Sequence, residues 1–105
     1  MEGAEKKKDG RQLLEKDVER ALVEEAKMRK GIAFKFVSPG CCGVPDRLVL
    51  LPGGHVGFVE LKRPGGQMRP QQKRRKRQIE TLGIPVFCVD RKEKIEEVLD
   101  AIQTA

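Results

Sequence analysis

Asp46, Glu60 and Lys62 are residues whose types and spacing could do chemistry. They lie in Val44 to Lys62 (VPDRLVLLPGGHVGFVELK), where two apolar runs are joined by Pro52-Gly53-Gly54. That pattern predicts a β-hairpin. With Gly53 at the centre of a three-residue turn, Leu50 faces Val56, Leu48 faces Phe58, and Asp46 faces Glu60. Lys62 follows one step further along the same face. Two carboxylates at that distance repel unless one is protonated or a cation lies between them. A hard divalent ion such as Mg2+ takes carboxylate oxygens and keeps several waters. A neighbouring lysine can then orient or deprotonate a bound water, or stabilise developing negative charge. On spacing alone a second reading stands beside this one: solvated strand-end acids with a snorkelling lysine. A register slip of one residue would remove the constellation.

Other elements must hold that hairpin in place. RQLLEKDVERALVEEAKMRKG sets Leu14, Val18, Ala21 and Leu22 at helical spacing, and Gly31 ends the helix. Glu15 and Glu19 fall beside that stripe, four apart and on a common side. Ile32 to Val37 reads as a first strand, and SPGCCGVP and RPGGQMRP read as loops. Gln71 to Leu82 suits a second helix, with Pro70 at its start, Gly83 at its end, and Gln72 and Ile79 sharing a face. Pro85 to Asp90 is nearly all apolar, as expected of an interior strand. Ile95, Val98, Leu99 and Ile102 mark a closing helix. The order is α-β-β-β-α-β-α, an α/β arrangement on a mixed sheet of about four strands. One domain is expected over residues 11–105, preceded by a loose polar arm over 1–10.

The chain has 105 residues, a net charge of +6 and 36% charged residues. That suits one modest core and a polyanionic partner, either nucleic acid or an acidic membrane surface. Four Phe are the only aromatics, so Leu, Ile and Val must carry the packing. The cysteines Cys41, Cys42 and Cys88 are odd in number and two are adjacent, which disfavours a disulfide framework. No apolar stretch approaches a membrane span or signal-peptide core. An intracellular, reduced protein is expected.

Pro45-Asp46, a gap of fourteen residues to Glu60, and then Glu60-Leu61-Lys62 resembles the PD-(D/E)XK nuclease signature. More narrowly, GVPDRLVLLPGG, FVELKRPGG, PQQKRR and LGIPVFCVD together resemble the VRR-NUC (virus-type replication-repair nuclease) domain in its stand-alone, phage-like form. The likeness runs over about residues 12 to 102, and that family is related to the Holliday-junction resolvases. The resemblance implies a restriction-endonuclease-like core and Mg2+ or Mn2+ as cofactor. It implies Asp46 and Glu60 as metal ligands, assisted by the Leu61 carbonyl, with Lys62 as catalytic lysine. Glu19 is the preferred helical acid and Glu15 the reserve. Gln72 matches the family's glutamine at the start of the second helix. The implied activity is endonucleolytic hydrolysis of DNA leaving 5′-phosphate and 3′-hydroxyl ends. A homodimer acting on branched DNA such as Holliday junctions, in repair or recombination, is implied with it.

The run Lys73-Arg74-Arg75-Lys76-Arg77 would ordinarily be a solvated helix face. Beside a nuclease signature, Lys73, Arg74 and Arg77, with Arg63, Arg69 and Ser38, are expected to contact phosphates. His55 and the three cysteines invite a zinc reading, but no C-x-x-C spacing occurs and the hairpin-turn histidine lies far from Asp46. Free thiols and a turn histidine are preferred. The competing class is a non-catalytic nucleic-acid-binding module of the same fold.

Overall fold

A computed structural model describes the chain over residues 10–105, with side chains from residue 15. The elements are α1 (Gly10–Met28), β1 (Ile32–Lys35), β2 (Arg47–Leu51), β3 (His55–Leu61), α2 (Pro70–Thr81), β4 (Val86–Val89) and α3 (Ile95–Thr104), with a short 3-10 turn (Lys92–Lys94) before α3. This is the expected α-β-β-β-α-β-α order. The polar arm expected over 1–10 lies outside the described residues, except that Gly10 opens α1. Leu14 likewise falls outside the described side chains.

The sheet has four strands in the order β1-β2-β3-β4. β1, β2 and β3 form an antiparallel meander, and β4 joins β3 in parallel. The parallel pair requires a crossover, and the segment from Lys62 through α2 supplies it. In the hairpin Leu50 pairs with Val56 and Leu48 with Phe58, as the turn predicts. Gly53 (φ 94°) and Gly54 (φ 80°) take the left-handed backbone that this tight reversal needs.

The two faces of the sheet are covered unequally. Val49, Leu51, Val59, Leu61 and Val89 point to one side, where they bury against Val18, Leu22 and Ala26 of α1 and Leu99 and Ile102 of α3. Gly57 in β3 sits under α3, and a Cβ there would lie 2.6 Å from the Ile102 side chain. Arg29, just beyond α1, joins the two helices by donating to Asp100 (2.8 Å) and Gln103 (3.1 Å). Leu48, Leu50, Val56 and Phe58 face the other way and are half-buried, with Phe36 set edge-on to Phe58 at 5.2 Å. That face is covered more lightly by α2, which contributes no buried residue.

Two expectations need correction. β1 ends at Lys35 rather than Val37, although the Phe36 amide still donates to the Asp46 carbonyl (2.7 Å). β4 is an edge strand, not an interior one. Its residues are apolar because the sheet is covered on both faces there, with Val86 and Val89 buried on opposite sides. A continuous apolar run reports burial of two faces, not the number of neighbouring strands.

Candidate active site

The hairpin ends bring Asp46, Glu60 and Lys62 together at one end of the sheet. The ladder stops one residue short of Asp46, which occupies a bend just before β2. Its side chain turns to β3, where Asp46 Oδ2 accepts the Leu61 amide at 2.9 Å. Pro45 before it is buried, and Asp46 itself is exposed. Leu61 turns its side chain into the core. The Lys62 amide donates to the Val89 carbonyl (2.9 Å), so the lysine emerges where β3 and β4 end in parallel.

Among the described residues, Glu60 is the buried charged one, with 3% exposure. Its Oε2 accepts Gln72 Nε2 at 2.5 Å and lies 3.4 Å from Lys62 Nζ. Burial, and next the charge of Asp46, push the Glu60 carboxyl up to about 6, while Lys62 draws it back down. Gln72 is oriented by a second bond, its Oε1 accepting the Arg69 amide at 2.8 Å. Since Oε1 is committed to a backbone donor at the start of α2, the amide nitrogen must face Glu60.

Glu15 and Glu19 of α1 line a cavity of about 230 Å3 together with Asp46, Lys35, Arg47 and Leu61. Glu19 is paired there with the Arg47 guanidinium, which also donates to the Ala33 carbonyl (3.0 Å). Arg47 and Lys35 were not singled out from sequence. The usable signal was parity, because Arg47 shares the inward side of β2 with Val49 and Leu51, where an unpaired charge is costly.

Among the described residues no three carboxylate, imidazole or thiol side chains converge as one ligand set. Glu19 is engaged by Arg47, and Asp46 by the Leu61 amide. The donors nonetheless fit a hard divalent ion, because Glu60 Oε1 is buried and has no hydrogen-bond partner among the described residues. An acceptor left in that state is expensive unless something positive meets it.

The basic side chains of α2 and of the loop before it separate into two groups, and those expected to contact phosphates fall in the first. Arg63, Arg69, Lys73, Arg74 and Arg77 are exposed, and no ion pair among the described residues involves them. Lys76 is paired with Glu80 (2.9 Å), and Arg75 donates to the Cys42 carbonyl (3.1 Å), fastening the 36–46 loop to α2. Ser38 is half-buried, and its carbonyl accepts the Cys41 amide (3.1 Å). His55 opens β3 opposite Leu51, and the three cysteines are unbridged. No described helix is long and apolar enough to cross a membrane.

A mixed sheet whose PD and ExK residues meet at the ends of β2 and β3, with a helical acid behind them, defines the PD-(D/E)XK class of nuclease folds. No family model matches the chain. It is 44% identical over 92 residues to "Putative nuclease p44" of Acyrthosiphon pisum secondary endosymbiont phage 1, covering 88% of this chain and 98% of that protein. A solved structure described as a VRR-NUC domain superposes with a TM-score of 0.76 at 29% identity, covering 82% of this chain and 94% of that one. The chain belongs to the VRR-NUC family of nucleases.

Proposed function

We propose that this nuclease is a metal-dependent endonuclease that hydrolyses DNA phosphodiester bonds, with Lys62 as its catalytic lysine. The observation that carries this reading is Glu60. It is a buried carboxylate with one oxygen unpartnered among the described residues and the other between Gln72 and Lys62, within reach of the Asp46 charge. Asp46, Glu60 and the Leu61 carbonyl, with Glu19 or Glu15 from α1, would hold Mg2+ or Mn2+. Bound there, the ion supplies Lewis-acid charge compensation and a more acidic water for phosphodiester hydrolysis.

The chain's own residues do the rest. Lys62 Nζ stands 3.4 Å from Glu60 Oε2, which would hold it in place to orient or deprotonate a bound water or to stabilise developing negative charge. Gln72 donates to Glu60 Oε2 and would hold that carboxylate in its orientation. Arg63, Arg69, Lys73, Arg74 and Arg77 attract the backbone without reading sequence, with Ser38 at the margin. The preference for branched DNA, Holliday junctions among it, rests on kinship with resolvases. The homodimer reading is supported by exposed Ile32 and Phe34 on the β1 edge, which a second copy could cover. Unbridged cysteines suit action inside a host cell.

The test uses labelled four-way junction, flap and linear duplex, incubated with Mg2+ or Mn2+. Wild type should cut, while Lys62→Ala and Asp46→Ala should not, and Lys62→Ala should still bind. Binding without cutting in either metal would identify a non-catalytic module instead. Sedimentation as a monomer at working concentration would remove the dimer and paired strand cutting.

A further inference from the structure

Immediately after Lys62 the chain leaves the sheet through Arg63-Pro64-Gly65-Gly66. The Gly66 amide donates to the Arg63 carbonyl at 2.8 Å, and Gly65 has φ 79°. Proline second and a left-handed glycine third make this a type II turn. The turn folds back on the lysine, since a Cβ on Gly66 would lie 3.2 Å from Lys62 Cβ and 3.0 Å from the Arg63 carbonyl.

An exposed turn of this kind is ordinarily mobile. Here Asp90, the residue after β4, reaches it: Asp90 Oδ2 accepts the Gly65 amide at 3.1 Å. Among the described residues this is the hydrogen bond that ties the turn to another element, before Gln72 takes up Arg69. The register explains the placement. Leu61 pairs with Val89 in parallel, so Lys62 and Asp90 leave their strands side by side. Asp90 is in turn held by Arg91 Nε (3.1 Å) and Lys94 Nζ (3.6 Å), with 14% of its side chain exposed. The Arg91 guanidinium, first, and the Gly65 amide, next, hold its carboxyl far below the ordinary range, so it remains an acceptor at any working pH.

The structure assigns Asp90 as a positioning residue: by fastening the type II turn, it fixes the backbone on the far side of Lys62 and aims Lys62 and Arg63 at the substrate phosphate. The β3–β4 ladder fixes the near side. This inference rests on Lys62 being the catalytic lysine. A phosphate-contacting role for Asp90 itself is excluded by charge, because a carboxylate repels the DNA backbone.

Asp90→Ala and Asp90→Asn separate the hydrogen bond from the charge, because an asparagine oxygen can still accept the Gly65 amide. The readouts are Gly65 amide hydrogen exchange, kcat and KM for cleavage, and the unfolding midpoint, with Lys62→Ala alongside. Asp90→Ala should speed Gly65 exchange and lower kcat about tenfold, the scale of one lost positioning hydrogen bond, with KM little changed. Asp90→Asn should stay within about threefold of wild type on the same scale. Unchanged kcat in Asp90→Ala despite faster Gly65 exchange overturns the proposal. So does equal damage in Asp90→Asn, or unchanged Gly65 exchange in Asp90→Ala. Wild-type cleavage by Lys62→Ala would instead overturn the reading of the lysine, and Gly65 exchange would still decide whether Asp90 holds the turn.

Discussion

Gln72 on α2 donates to Glu60 on β3 at 2.5 Å, while its own oxygen holds the Arg69 amide at the start of the helix. One side chain thus couples the mounting of α2 to the setting of the buried carboxylate. Gln72→Ala should lower kcat/KM by roughly tenfold to a hundredfold, the cost of leaving a buried carboxylate less satisfied. Gln72→Glu should be worse at neutral pH, because it adds a like charge beside Glu60. Steady-state cleavage assays on the two variants check both statements.

Glu60 should also set a pH dependence in the metal-free protein. Unfolded, its carboxyl titrates near 4.5; folded, it is pushed up to about 6. Between those values the folded chain binds more protons than the unfolded one, so stability falls as pH rises. The contribution is fully present below about 4.5 and lost above about 6, a change of about 2 kcal/mol. Denaturant unfolding in a chelator should show Glu60→Gln gaining on wild type across that window. A constant difference between the two proteins would refute it.

Arg47 should matter for stability more than its place beside Asp46 suggests. It bridges Glu19 on α1 to the Ala33 carbonyl on β1 from a largely buried position. Arg47→Ala should destabilise the protein by about 2 kcal/mol, since it leaves a carboxylate and a carbonyl short of a donor. In a double-mutant cycle with Glu19→Ala, the two changes should be clearly non-additive. Chemical denaturation of the four proteins measures the coupling.

Gly57 is a test of the core that leaves the site chemistry untouched. A Cβ there would meet Ile102 at 2.6 and 2.7 Å, so Gly57→Ala should cost about 1–3 kcal/mol through overpacking. Shortening the neighbour in Gly57→Ala/Ile102→Val should recover part of that loss, read as an unfolding midpoint.

The exposed basic residues of α2 should appear in the salt dependence of DNA binding. Removing Lys73, Arg74 or Arg77 singly should weaken binding to all sequences alike and reduce the slope of log K against log salt by about 1. Fluorescence anisotropy over a salt series provides the slopes. A slope unchanged by all three substitutions would remove these residues from the interface.

Much of this was legible in the sequence because it depends on short-range rules. Pro52-Gly53-Gly54 dictates the turn, the turn dictates the register, and the register carries Asp46 and Glu60 to the same end of two strands. Pro70 and Gly83 likewise bracket α2, and the spacing of Ile95, Val98, Leu99 and Ile102 gives the face of α3 that is buried. Local backbone chemistry is sufficient for each of these. Asp90 and Arg47 were less visible, since their partners, Gly65 and Glu19, lie far away in the chain.

Only the tertiary structure decided which face of the hairpin forms the deep core, that β4 closes an edge, and that α2 brings Gln72 onto Glu60. Alternation along a strand separates two faces but does not say which helix covers which. That depends on how the crossover returns the chain to the sheet. The sequence by itself determined the acids, the lysine and the register that gathers them. Packing determined what Glu60 meets: burial raises the energy of its charge, and Gln72 and Lys62 attend one oxygen while the other has no partner among the described residues.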